Sequence, residues 1–487
     1  MNDEPTLVVD NGAHSIKTCW ASSSDEPSIV PNGIFQSKAD KRTYVGADIS
    51  QLKDASGLVY HLPFERGILT DWNIEKTVWD HTFNYQEPKI DPADIRLLLT
   101  EPALNLPVVT ESIDQMVFEE YDFASACVMP AAALAPFLPL DDIQQRTPEC
   151  TLVVDVGFSF SQIIPICRGQ VQEAAVRRLD IGGKMLTNYL KETASFRHWY
   201  MMDQTAVVNA VKEACCYVAP TSGAFSSDLE RVKSSRNDIV QEYILPDFTS
   251  KSAEHPLGHL RTTDMPIADE QILPMGNERF TTPEILFHPS IIGMDQMGLP
   301  EIVADAIEAL PEMLRGLYWG NVICIGGSAC LPGFVGRLQV ELRELATEDY
   351  TVRVRASSTP ITHAAKAARH ILQHPELDYD GVLSLEASFV TREEYQEYGS
   401  ELCRRRFRRD ANTADLKKTA GGVKPINRRR SSGKHSRSAS NSGLAQDDED
   451  ESGPENDDWR RQAVATIMSG AAKPGKPKTK ARNRKGW

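Results

Sequence analysis

A repeated pairing of carboxylate and glycine is the first sign of chemistry in this chain. Thr6-Leu7-Val8-Val9-Asp10-Asn11-Gly12 recurs as Thr151-Leu152-Val153-Val154-Asp155-Val156-Gly157, 145 residues later. Each copy is an apolar, β-branched run ending in Asp-x-Gly, the pattern of a buried strand that stops at a turn. Glycine at such a turn lets the backbone approach a ligand closely and aim N–H groups at a phosphate. The adjoining carboxylate can hold a divalent cation, largely through water, that offsets the phosphate charge. Asp10 and Asp155, facing each other from two related halves, would clamp one nucleotide between them. A third run, Val322-Ile323-Cys324-Ile325, leads into Gly326-Gly327 and then Leu331-Pro332-Gly333-Phe334. That glycine pair would leave room for a flat base or sugar, although an ordinary strand-to-helix turn has the same composition.

These residues need elements to position them. Each Asp-x-Gly is followed by a second strand-like run, residues 16–20 and 161–167, so two hairpins with the same opening are expected. Helical spacing appears at 73–83, 110–121, 183–193, 204–218 and 300–314, with Asp203 as an N-cap. Strands alternating with helices of this length predict α/β layers around buried sheets. Residues 220–289 are irregular and rich in Pro, Ser and Asp, and read as loops or insertions.

With 487 residues, 41% of them apolar, the chain can bury a sizeable core over two or three domains. The most apolar stretch, residues 128–140, is broken by Pro130, Pro136 and Pro139, so no membrane span is expected. The acidic start runs directly into a strand pattern, unlike a signal peptide, and points to an intracellular protein. The nine cysteines show neither zinc-site nor disulfide spacing. His370 and His374 are four apart, but Pro375 follows and no third ligand is near.

Charge is unevenly spread. Residues 410–487 carry 17 Lys and Arg against 10 Asp and Glu, a balance of +7, which leaves −22 on residues 1–409 out of the total of −15. An acidic body does not favour nucleic acid, whereas a basic tail can meet phosphates without sequence preference. Beyond Phe407 apolar periodicity stops, and the blocks at 427–440, 447–458 and 473–487 are too polar to bury a core. A disordered charged tail over 408–487 is predicted, with a short helix near 459–468 and basic clusters suited to nuclear import.

Longer motifs give these observations a family. Glu65-Arg66-Gly67-Ile68-Leu69-Thr70-Asp71-Trp72, Leu98-Leu99-Thr100-Glu101-Pro102-Ala103-Leu104-Asn105, Ile181-Gly182-Gly183-Lys184-Met185-Leu186 and Val211-Lys212-Glu213-Ala214-Cys215-Cys216-Tyr217 occur in the order of the actin signatures. Over residues 5–407 the chain resembles the actin family. Its ending, Phe389-Val390-Thr391-Arg392-Glu393-Glu394-Tyr395, is closest to the sixth of the nuclear actin-related branches.

The resemblance implies a two-lobed, duplicated ribonuclease-H-like α/β fold with a central nucleotide cleft. The first lobe would comprise 1–144 and 357–407, with a small outer subdomain at 33–70; the second would comprise 145–356, with an outer subdomain at about 188–285. It implies ATP or ADP with magnesium, with phosphate contacts from Gly12, Ala13, His14, Lys17 and Gly157. Cation coordination would fall to Asp10 and Asp155, and nucleoside contacts to Lys212, Glu213, Gly326 and Gly327.

Departures from the family pattern matter as much. The position of the water-orienting glutamine is Ala131, and that of its neighbouring histidine is Gln162. The aspartate beyond the second turn becomes Ser159 or Phe158, and the late Trp-x-Gly-Gly motif becomes Ala365-Lys366-Ala367-Ala368. Losing a water-positioning group can remove several powers of ten from phosphoryl transfer, so little or no hydrolysis is expected. Residues 30–44 are short and polar where actin presents an apolar loop to the next filament subunit.

The branch resemblance implies a nuclear scaffold in a chromatin-remodelling complex that exchanges a variant histone into nucleosomes. A remodelling motor and a zinc-finger subunit would be its partners, with non-specific DNA contact through the tail. The alternatives are an ATP-hydrolysing actin-like enzyme and a filament-forming cytoskeletal protein.

Overall fold

The computed structural model describes residues 5–38, 41–52, 55, 57–84, 91–140, 147–234, 238–247, 255–262, 270–378 and 385–407. The predicted tail, including the expected helix near 459–468, lies outside them.

Two sheets built alike hold the chain together. In the first, Thr6–Asn11 forms an antiparallel hairpin with Ser15–Trp20 and pairs in parallel with Arg96–Glu101, which pairs in parallel with Ser125–Pro130. In the second, Cys150–Val156 forms a hairpin with Ser161–Cys167 and pairs in parallel with Val322–Ile325, which pairs in parallel with Val354–Ala356. Both leading strands are buried almost throughout, as central strands covered on both faces must be. Each hairpin turns at its Asp-x-Gly, so the repeat is a repeat of structure. The mixed α/β architecture of the actin fold accounts for the whole described body.

Two main apolar cores flank these sheets. One is drawn from residues 7–137 and 365–407, the other from residues 150–354. The helix His363–Gln373 packs Ala365, Ala367 and Ala368 into the first core, so the replaced glycine motif is plain helix, as its composition implies. A smaller cluster, Phe35, Tyr44, Leu52, Ala55 and Leu58, accompanies a three-stranded sheet of Ile34–Gln36, Thr43–Val45 and Val59–His61.

Several local expectations need correction. The helix expected at 300–314 is two helices, Leu299–Glu308 and Glu312–Trp319. Pro311 lacks the N–H that would continue the ladder and crowds the preceding turn. The segment 110–121 begins earlier, at Pro107, and ends in a π-helical turn over Met116–Glu120. The helix expected at 204–218 runs Thr205–Cys215, and its N-cap is Gln204 rather than Asp203. Residues 220–289 are more ordered than their composition suggests: they contain the helix Ser222–Lys233, capped by Thr221, and a three-stranded sheet. Seven of the nine cysteines are buried free thiols. The His370 and His374 rings lie 4.7 Å apart, tilted by 44°, with His374 bonded to Glu376. No described helix is long and apolar enough to cross a membrane.

Candidate functional site: a cleft between two Asp-x-Gly turns

The two hairpin turns open onto one cavity of about 560 Å³, a size typical of small-molecule sites. All eleven residues singled out in the sequence line it: Asp10, Gly12, Ala13, His14, Lys17, Asp155, Gly157, Lys212, Glu213, Gly326 and Gly327. The register of the hairpins explains the convergence, because Asp10 lies opposite Lys17 and Asp155 lies opposite Gln162 at the two strand ends.

On the first turn, Asp10 accepts a hydrogen bond from the Thr100 hydroxyl at 2.7 Å and pairs with the Lys17 ammonium at 3.2 Å. The Lys17 ammonium lies so close over the turn that a side chain at Gly12 would meet it at 2.9 Å. Behind the turn is a buried polar network. The Asn11 amide donates to Glu75 at 2.6 Å, Trp79 donates to the same oxygen at 3.0 Å, and Asn32 donates to the Gly12 carbonyl at 3.2 Å. Burial drives the Glu75 carboxyl up to about 7 even though its donors pull it down.

The second turn is built differently. Its carbonyls are taken up by the start of the helix Gly183–Arg197: the N–H groups of Gly183 and Lys184 donate to Gly157 and Phe158 at 2.9 and 2.8 Å. Asp155 faces the cavity without a lysine opposite it. Desolvation, and then the charge of Asp10, push its carboxyl up to about 6, with Lys17 pulling the other way. Gly326 has φ +92, and a side chain there would strike the Val156 carbonyl and the Asp155 carboxylate. Gly326 thus lets the strand end pack closely against the hairpin while it lines the cavity. Gly327 does open into free space.

Lys212, expected at a nucleoside, is buried and turned inward. Its ammonium bonds Thr187 at 3.0 Å, Asn209 at 2.8 Å and the Gly183 carbonyl at 3.4 Å, and burial lowers its proton affinity. The His14 ring is exposed to the cleft; the protein mass around it, then Lys212 and Lys17, lower its proton affinity. The Gln162 amide donates to the Ala103 carbonyl at 3.1 Å and so is fixed to the wall, while Ala131 presents only a methyl group to the cavity.

Sequence reasoning did not foresee the roles of Thr100, Glu75, Phe158 and Phe160. The signal for Thr100 was present in the motif Leu98–Asn105; Phe158 was marked only as one of two residues standing where the family has an aspartate, and nothing marked Phe160. Among the described residues no group of three or more His, Cys, Asp or Glu is arranged to hold a metal. Two facing carboxylates still suit a divalent cation held partly through water.

The actin family model matches residues 1–408. The chain is 40% identical to the actin-like protein ARP6 of Cryptococcus neoformans over 427 residues, covering 84% of this chain and 85% of that one. It is 39% identical to the actin-like protein ARP6 of Yarrowia lipolytica, covering 82% and 97% of the two chains. It is 36% identical to the actin-related protein 6 of Drosophila melanogaster, covering 81% and 97%. With a duplicated hairpin, a shared cleft and matches of this length, the chain belongs to the actin family, among the proteins of its actin-related protein 6 branch.

Proposed function

We propose that this chain is a nuclear, non-hydrolysing structural subunit of an ATP-dependent chromatin-remodelling complex that exchanges a variant histone into nucleosomes. It docks on the remodelling motor, seats a zinc-finger partner subunit, and brings a basic tail to nucleosomal DNA or histones. The observation that carries the reading is the chemistry of the cleft wall. Ala131 has no polar atom with which to orient a water, and the Gln162 amide is committed to Ala103. In-line attack on a phosphate needs its water positioned, and neither residue at these positions can do it. A bound nucleotide would then act only by stabilising the fold through mass action. The tail's charge balance and the likeness to the sixth actin-related branch support the nuclear assignment.

Two measurements test this. A steady-state ATPase assay of the isolated chain should read no turnover above buffer, and turnover at the rate of actin would overturn the non-enzymatic reading. Purification of the tagged protein from nuclei should bring down a helicase-type motor and a zinc-finger subunit; recovery of cytoplasmic filament components alone would overturn the remodeller assignment.

A further inference from the structure

The second hairpin crosses the cleft. Phe158, in its turn, meets His14, in the turn of the first hairpin, with ring centroids 4.7 Å apart and planes tilted by 34°. Phe160 lies on Gly67, where any side chain would overlap its ring and where φ is +80. The Arg178 guanidinium lies over the Phe160 ring at 4.0 Å and donates to the Arg66 carbonyl at 2.9 Å. Gln162, paired with Arg178 in the sheet, donates to Ala103. Four neighbouring side chains of the second lobe thus bind the first lobe directly.

Both rings line the cavity that the two turns share, and their contact links the turns through side chains. A phosphate joining the turns would have to take N–H bonds of about 2.9 Å from each beside these rings. The charges are equally unsuited to a triphosphate. Asp10, Asp155, Glu101 and Glu213 face the cavity against only Lys17 and Lys212, and both ammonium groups are already bonded within the protein.

We infer that His14 and Phe158, by bridging the two turns, are specificity-determining residues that remove the preference for a third phosphate, so that the cleft does not distinguish a nucleoside triphosphate from the diphosphate. Glu213 and Gly327 line the same cavity. This deepens the non-hydrolysing reading of the cleft and is independent of the remodelling assignment.

The test is titration of the full chain with magnesium ATP and magnesium ADP, followed by calorimetry or thermal shift, for the wild type and for the double variant His14→Gly, Phe158→Ala. The inference expects wild-type affinities within about threefold of each other, or no binding of either nucleotide, and a preference for ATP of at least about tenfold in the double variant. A wild-type preference for ATP of tenfold or more overturns it, as does a folded double variant whose preference is unchanged. Should the double variant not fold, the single variant Phe158→Ala is read by the same criterion. Measured turnover of ATP would instead sink the non-hydrolysing reading, and the two failures are therefore distinguishable.

Discussion

In the first hairpin Asp10 lies opposite Lys17; in the second, Asp155 lies opposite Gln162. The hairpin register is the same to the residue, yet one carboxylate has a cation and a hydroxyl donor, whereas the other is desolvated with a like charge nearby. Duplication thus preserved where the carboxylates stand and changed what they meet. The second hairpin took on another task, because its turn and its outer strand carry the side chains that hold the lobes together. A hairpin that joins lobes through rings has less use for a phosphate to join them.

The largest effect should come from making the first hairpin resemble the second. Lys17→Met leaves Asp10 and Asp155 facing each other with no ammonium between them, and breaking a buried pair of this kind costs about 3 kcal/mol. Denaturant midpoints at unchanged slope would measure it. A loss under 1 kcal/mol would mean that water, not Lys17, compensates Asp10.

Next in size is the opposite change in the second hairpin. A raised carboxyl is protonated more readily in the folded chain, so its contribution falls as pH rises from about 4 to about 6 and stays low above that. Asp155→Asn should therefore stabilise the protein by roughly 1–2 kcal/mol at pH 7.5 and by nothing near pH 4. Glu75 adds a further decline that ends near pH 7. Millimolar magnesium should stabilise the wild type and not Asp155→Asn; equal stabilisation of both would remove Asp155 from any cation site.

How much of this could be read from the chain follows from how local each signal is. The hairpins were legible because TLVVD runs and Asp-x-Gly turns are written within a dozen residues, and the eleven cavity residues followed from aligning those motifs. The break at Pro311 was missed because apolar spacing continues in phase on both sides of it, so periodicity alone carries the helix through. The bridges from Phe160 to Gly67 and from Phe158 to His14 join residues about 90 and 140 positions apart. No short-range pattern encodes such a contact, and the replacements at Phe158 and Ser159 told only of something lost.

Smaller effects belong to the bridge. Arg178→Ala removes a cation over a ring and a bond to Arg66, worth about 1 kcal/mol at a partly exposed site. It should show first as faster proteolysis at residues 64–69 rather than as a large shift in Tm. Gln162→Ala should cost about 1 kcal/mol or less, the worth of one amide bond, and leave ATP turnover at background. Any rise in turnover would mean that Gln162 restrains a competent cleft.

The central claim is that the chain bridges the two turns of its cleft with its own side chains. Hydrogen exchange at the two turns, residues 11–16 and 156–161, tests it most directly when measured with and without saturating magnesium ATP. The account predicts strong protection already in the nucleotide-free protein and no more than a twofold change on adding ATP. Rapid exchange of both turns without nucleotide, slowed tenfold or more by ATP, would contradict it.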